Sequence, residues 1–320
     1  MKNLQLITGQ SHLALSEAIS KILKVPLTKV EDKYFANGEI YVRIKEKVRG
    51  NDVYIIQSFG TEINDRLMEM LILIDALKRS SAGRINLICP NLCYSRQDRK
   101  VASREPITAK LVANLITKAG ADRLMTIDLH AEQIQGFYDI PVDHFMAYPL
   151  IAKYLKKQGY IKNAVIVSPD IGGVKRANKL ADLFNLKIAI IDKVRRGHNQ
   201  AEVAHVVGDV SGKRAIIIDD MIDTGGSICA AAEVLKKFGA IEVIVCATHG
   251  LLSGNAKDKF DTSSVDKLIL TDTLPIPPNK VCKKMEIITV APLLAKVIKR
   301  IHLDQSLGEL FTWEDKKKAL

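Results

Sequence analysis

Residues 216–227 read Ile-Ile-Ile-Asp-Asp-Met-Ile-Asp-Thr-Gly-Gly-Ser. An apolar run ends in adjacent carboxylates, Asp219 and Asp220. The loop Asp223-Thr224-Gly225-Gly226-Ser227 follows, and then a helix-like segment, 228–238. That loop suits an anion. Its glycines let backbone N–H groups approach closely, its hydroxyls add donors, and the start of a helix adds partial positive charge. The two carboxylates would repel the same anion. They suit the neutral hydroxyls of a sugar carrying it, or a metal bound to those hydroxyls. An acidic turn capping a helix has a similar composition, but the order of three elements here is better explained by a sugar-phosphate site.

Further polar groups fall at the ends of apolar runs. Ser168-Pro169-Asp170-Ile171-Gly172-Gly173 offers backbone amides for a diphosphate and a carboxylate for its metal, although the same residues are ordinary turn chemistry. Thr126-Ile127-Asp128-Leu129-His130 places an imidazole beside a carboxylate, and such an imidazole can join a mixed magnesium shell. Arg96, Arg99, Lys100 and Arg104 crowd one polar connection, which suits a mobile lid over polyphosphate, and Arg96 can also stack on a purine. Lys193 and Arg195 are two residues apart, so an extended chain points both to one face, where they can grip a phosphoryl group in transfer, although a basic surface loop explains the pair as well. Phe35-Ala36-Asn37-Gly38-Glu39 presents an aromatic plane with amide and carboxylate edges, or simply a hairpin turn.

These groups need a scaffold that brings strand ends together. Residues 4–8, 53–57, 85–89 and 124–127 read as strands, with helices over 11–23, 64–78 and 107–118. The alternation restarts after Tyr148-Pro149, with strands over 164–167, 187–191, 215–218 and 243–247 and helices over 174–184 and 228–238. Alternation of this kind predicts βαβ units and parallel sheets. Open sheets of this type bind ligands at the carboxyl ends of their strands. Two such sets predict two similar α/β domains, 1–147 and 148–303, with 304–320 as a tail packing back on the first. Direct similarity between the halves is faint.

The chain has 320 residues and is 47% hydrophobic, enough for two cores. Its net charge is +11, but the excess is dispersed and aromatics make up only 5%. This gives little stacking surface for nucleic acid, and substrates carrying several phosphates explain the basic balance equally well. No apolar run approaches membrane-spanning length and no signal-peptide pattern is present, so a cytoplasmic location is expected. The five cysteines are dispersed and read as buried reduced thiols.

Residues 219–227 resemble the ribose-phosphate signature of type I phosphoribosyltransferases. Together with the segments at 35–39, 49–50, 94–98, 128–136, 168–173 and 306–311, the whole chain resembles the ribose-phosphate diphosphokinase family. Asp128-Leu129-His130-Ala131-Glu132-Gln133-Ile134-Gln135-Gly136 is particularly specific, because ordinary phosphoribosyltransferases lack it. The resemblance implies two phosphoribosyltransferase-like α/β domains, each a mostly parallel sheet flanked by helices. It implies transfer of the β,γ-diphosphoryl group of ATP to the 1-hydroxyl of ribose 5-phosphate, with Mg²⁺, giving 5-phosphoribosyl 1-diphosphate and AMP. By the family pattern Phe35, Asn37, Gly38, Glu39, Arg96, Gln97 and Arg99 bind ATP. His130 and Asp170 are metal positions, and Asp219, Asp220, Asp223, Thr224, Gly225, Gly226 and Ser227 hold ribose 5-phosphate. Lys193 and Arg195 are catalytic. The resemblance further implies a homohexamer built from dimers, in which 35–39 reach a neighbouring subunit's ATP site. Phosphate and ADP are the implied effectors, acting at Arg49, Asp143, Ser306 and Phe311. The chain departs from the pattern at Lys47, at Asn91-Leu92-Cys93, at Val194 and at Gly197-His198.

Overall fold

The structure, a computed structural model, describes residues 3–194 and 203–311. The chain forms two compact units. The first comprises residues up to 146 together with 273–275 and 289–311, and the second comprises the described residues of 147–272 and 276–288.

The first unit runs β1 (Leu4–Thr8), α1 (Leu13–Leu23), β2 (Val30–Tyr34), β3 (Ile40–Ile44), β4 (Asp52–Ile56), α2 (Ile63–Arg79), β5 (Arg84–Ile88), α3 (Thr108–Ala119), β6 (Arg123–Ile127) and β7 (Val142–Phe145). Its main sheet is parallel, in the order β1-β4-β5-β6-β7, and β2 and β3 form a separate antiparallel hairpin. Leu27 makes a parallel bridge to Leu6 on the free side of β1. The chain therefore visits one side of β1 first and then builds outward on the other.

The second unit runs α4 (Tyr148–Lys157), β8 (Ala164–Ser168), α5 (Val174–Phe184), β9 (Ile188–Val194), β10 (Val203–Val207), β11 (Arg214–Ile222), α6 (Gly226–Lys237), β12 (Glu242–Gly250), α7 (Ala256–Thr262), β13 (Lys267–Thr271) and β14 (Met285–Ile288). Its sheet has the order β10-β9-β8-β11-β12-β13-β14, parallel except for β10. The pleat explains why β8 and β11 are apolar at successive positions. Val165, Val167, Ala215 and Ile217 pack on one face with Ile228, Ala232 and Leu235 of α6. Ile166, Ile216 and Ile218 pack on the other with Leu155 of α4 and Leu180 of α5. Strands covered on both faces have no solvent side for polar residues.

The chain then returns to the first unit as α8 (Ala291–His302) and α9 (Gly308–Phe311). This differs from the expected limit at 303. The apolar stripe of α8, including Leu294, Ile298 and Ile301, is buried, and the helix packs on α1. At its end His302 Nδ1 lies 2.9 Å from Asp52 Oδ2. Asp52 is fully buried and also accepts a forked pair of bonds from Arg84, which in turn bonds Asp304. Burial alone would raise the Asp52 carboxyl, but the Arg84 and His302 contacts outweigh it and hold the group below its ordinary value. Of the expected tail, residues 304–311 belong to the first unit, and 312–320 lie outside the described residues.

Candidate active site

In the second unit the site is created by strands of unequal length. The ladder between β11 and β8 ends at Ile217↔Val167. The ladder between β11 and β12 continues to Ile222↔Gly250. Asp219 and Asp220 therefore lie within β11, beyond the last β8 pair, and not at the strand's end as expected. Pairing with β12 alone leaves a crevice on the β8 side. It is also where strand order reverses, since β8 is flanked by β9 and β11. That reversal is the usual ligand position in an open α/β sheet.

The loop after β8 borders this crevice. Ser168 Oγ donates to the Asp170 carbonyl at 2.6 Å, and the Gly173 amide donates to Asp170 Oδ1 at 2.8 Å. A Cβ at Gly173 would meet Ser168 Oγ at 2.8 Å, so a larger residue there would displace the Ser168 hydroxyl from the Asp170 carbonyl. Asp170 itself is exposed. Arg176, in the first turn of α5, reaches both acids. Its Nη1 lies 3.0 Å from Asp219 Oδ1 and its Nη2 lies 3.2 Å from Asp220 Oδ1. The Asp220 amide also donates to Asp219 Oδ1 at 2.8 Å. Burial and the neighbouring Asp220 carboxylate push the Asp219 carboxyl well above its ordinary value, with Arg176 opposing them.

After β11, Gly225 caps α6 with φ +73°, and a Cβ there would meet Phe260 Cε2 at 2.8 Å. Gly226 has room, the nearest atom to an added Cβ being 3.9 Å away. The two loop glycines thus differ. Gly225 is demanded by the turn and by Phe260, whereas Gly226 begins the helix whose first amides lack intrahelical acceptors. Thr224 and Ser227 are exposed beside them, Asp223 is half-buried, and Lys259 Nζ bonds the Thr224 carbonyl at 3.2 Å. Lys193 pairs with Ala204 across the antiparallel β9–β10 ladder. Arg195, Gly197 and His198 lie outside the described residues.

The other expected positions belong to the first unit. Phe35–Glu39 form the tip of the β2–β3 hairpin: the Gly38 amide bonds the Phe35 carbonyl at 2.9 Å, and Gly38 has φ +89°. The Glu39 amide donates to Asn37 Oδ1 at 3.2 Å. Phe35 is 48% exposed and edge-on to Tyr41, so much of its ring remains available. Arg96, Gln97 and Arg99 are exposed on the β5–α3 connection. This connection is folded on itself: Glu105 accepts the Val101 and Ala102 amides at 2.7 and 2.9 Å, and Gln133 Nε2 bonds Asp98 at 3.1 Å. The departure at Asn91-Leu92-Cys93 points inward, since all three are buried and Asn91 Nδ2 bonds the Phe59 carbonyl at 2.7 Å. Burial pushes the Cys93 thiol up to about 12, which removes it as a nucleophile.

His130 is exposed just beyond β6. The turn is held on β7 by the Asp128 amide, bonded to the Phe145 carbonyl at 2.8 Å, and by the Leu129 amide, bonded to His144 Nε2 at 2.9 Å. His130 and Asp170 belong to different units, and among the described residues no three His, Cys, Asp or Glu side chains converge as a metal cage. Exposed donors on separate loops still fit magnesium, which keeps several waters and takes further oxygens from phosphates. Of the positions expected to be regulatory, Asp143 is bonded by Arg123 at 2.7 Å and Arg49 is exposed. The Ser306 carbonyl accepts from Arg300 at 2.7 Å, and Phe311 ends α9. Arg176 was not singled out from sequence. Its signal was its place three residues after the Gly172-Gly173 turn, where the first helical turn faces the loop.

Two doubly wound units, one with an acidic pair and a glycine loop at its point of strand reversal, define a phosphoribosyltransferase-like protein. Residues 4–120 match the N-terminal domain of ribose phosphate pyrophosphokinase, and residues 200–312 match the phosphoribosyl synthetase-associated domain. A ribose-phosphate pyrophosphokinase from Clostridium perfringens is 50% identical over 312 residues, covering 97% of this chain and 98% of the relative. Another from Caldanaerobacter subterraneus subsp. tengcongensis is 49% identical over 310 residues, covering 97% and 98%. The crystal structure of phosphoribosylpyrophosphate synthetase from Mycobacterium smegmatis has a TM-score of 0.91 and 45% identity, covering 95% of this chain and all of that one. The chain belongs to the ribose-phosphate pyrophosphokinase family.

Proposed function

We propose that the chain makes 5-phosphoribosyl 1-diphosphate at the residues described above. The 1-hydroxyl of ribose 5-phosphate attacks the β-phosphorus of ATP. A bond forms between that oxygen and the β-phosphorus, the bond to the α-phosphate bridge breaks, AMP leaves, and the hydroxyl proton is lost to solvent. The product serves nucleotide and amino-acid biosynthesis. The observation that carries this reading is the crevice beside β11, where the ladder to β8 stops before Asp219 and Asp220 and the same strand leads into the glycine loop of α6.

Asp219 and Asp220 accept the ribose hydroxyls, and Asp223, Thr224, Gly225, Gly226 and Ser227 surround the 5-phosphate. Their glycines and the first amides of α6 favour an anion. Lys193 and Arg195 stabilise charge on the diphosphoryl group in transfer, since this chemistry is chiefly positioning and electrostatics. In the first unit Phe35 and Arg96 stack on the purine, Asn37, Gly38 and Glu39 read its edge, and Gln97 and Arg99 hold the nucleotide. His130 and Asp170 would hold Mg²⁺, which when bound neutralises phosphate oxygens.

The family resemblance supports a cytoplasmic homohexamer built from dimers, with the exposed 35–39 hairpin tip serving a neighbouring subunit. It also supports phosphate and ADP as effectors at Arg49, Asp143, Ser306 and Phe311, with Lys47 as the departure in that set. Among the described residues no helix is long and apolar enough to cross a membrane. The reaction is tested with ATP labelled at the β-phosphorus, incubated with ribose 5-phosphate and Mg²⁺. The label is expected in the sugar product alongside AMP, and ADP as the sole nucleotide product refutes the reading.

A further inference from the structure

We propose that Arg176 is the positioning residue of the sugar-hydroxyl site, clamping Asp219 and Asp220 as one rigid pair so that both present oxygens to the ribose together. This rests on the reading of those carboxylates given above. Adjacent carboxylates repel, and successive side chains on a strand diverge. Something must hold them as a pair before substrate arrives. Arg176 does so with separate amino groups, Nη1 to Asp219 at 3.0 Å and Nη2 to Asp220 at 3.2 Å. The planar guanidinium fork can span two acceptors, whereas an ammonium is a single point of charge. Arg176 is well placed to act as a clamp. Its own amide bonds the Gly173 carbonyl at 3.0 Å, and the Gly173 amide is bonded by Asp170. One residue thus ties the loop after β8 to the acids of β11. Its side chain is 24% exposed and bonded to both acids, so bound substrate would find it partly desolvated and already engaged.

The clamp predicts a specific loss. Calorimetry on the full chain, without nucleotide, compares ribose 5-phosphate, 2-deoxyribose 5-phosphate and inorganic phosphate. The unaltered protein should prefer the ribose over the deoxy sugar. Arg176→Ala should lose at least tenfold in ribose 5-phosphate affinity and most of that preference, with inorganic phosphate binding unchanged. Arg176→Lys should fall between them, because it restores charge without the fork. A thermal melt accompanies each variant. Retention of affinity and preference within twofold in Arg176→Ala overturns the proposal. If Arg176→Ala does not fold, Arg176→Lys decides alone: a preference reduced at least threefold supports the clamp, and an unchanged one overturns it. An unaltered protein that binds the two sugars equally overturns the hydroxyl-binding role of the carboxylates, and the clamp with it.

Discussion

In the second unit β8 and β11 part after Ile217, and just past the buried Ile218 the strand carries two acids, Asp219 half-buried and Asp220 buried, both held by Arg176. In the first unit β1 and β4 occupy the same place in the strand order, with Leu27 on the far side of β1, and they part at Thr8 and Ile56. The next residue there is Gln57, which is fully buried. Its Nε2 bonds Glu69 at 2.9 Å and its Oε1 accepts from Ser11 at 2.6 Å. Gly9 lies so close that an added Cβ would meet Gln57 Oε1 at 2.0 Å. What remains is a cavity of about 150 Å³, bordered by Arg66. That arginine is already engaged by Glu62, Glu69 and Gln10. One topology thus yields the crevice proposed for a sugar phosphate in one unit and a largely filled, internally neutralised one in the other. Fold supplies the position, and the residues just past the strand pairs decide whether it becomes a site.

The strongest way to break this contrast is to remove the chemistry assigned to the second unit. Lys193→Ala should lower kcat by roughly 10²-fold or more, as loss of a transition-state donor does, with a smaller change in KM. A kcat within threefold of the unaltered enzyme would leave the second unit a binding module. Next in size, Asp52→Asn should cost roughly 3 kcal/mol of stability by leaving Arg84 without its buried acceptor, while ribose 5-phosphate affinity holds. Because the folded Asp52 carboxyl lies below its unfolded value, its contribution is complete above roughly pH 4 and fades as pH falls through the folded value. A denaturant series from pH 7 to pH 3 should show a loss in acid that Asp52→Asn lacks. The smallest and sharpest comparison pairs two glycines. Gly9→Ala and Gly225→Ala should each cost about 1–3 kcal/mol through overpacking, read as lowered melting temperatures. Only the second should also weaken ribose 5-phosphate binding, by roughly tenfold or about 1.4 kcal/mol. Equal affinity losses from both would erase the distinction between the two crevices.

Much of this was legible in the residues. The unbroken apolar runs at 164–167 and 215–218 announced strands covered on both faces, and α5 occupies the expected 174–184. The acids, the glycine loops and the hairpin at Gly38 announced themselves by type and spacing. The full length of β11 did not, because Asp219 and Asp220 look like a strand's end when only one flanking strand has stopped. Arg176 was hidden in a Lys-Arg pair that reads as a solvated helix start. The return of α8 was invisible for a deeper reason: periodicity shows that a helix has an apolar face but not which sheet will cover it.

That return also has a consequence for how the protein is made. A ribosome emits the chain from its amino end, and α1 emerges long before α8. Until residue 302 has left the exit tunnel, the nascent first unit lacks the helix that packs on α1 and the imidazole that meets Asp52. The second unit's sheet is meanwhile complete by residue 288. The later half can therefore mature first, while the earlier half waits with apolar surface uncovered, the kind of intermediate that recruits chaperones. Fragments ending near residue 146 should aggregate on expression, whatever the quality of their own sheet.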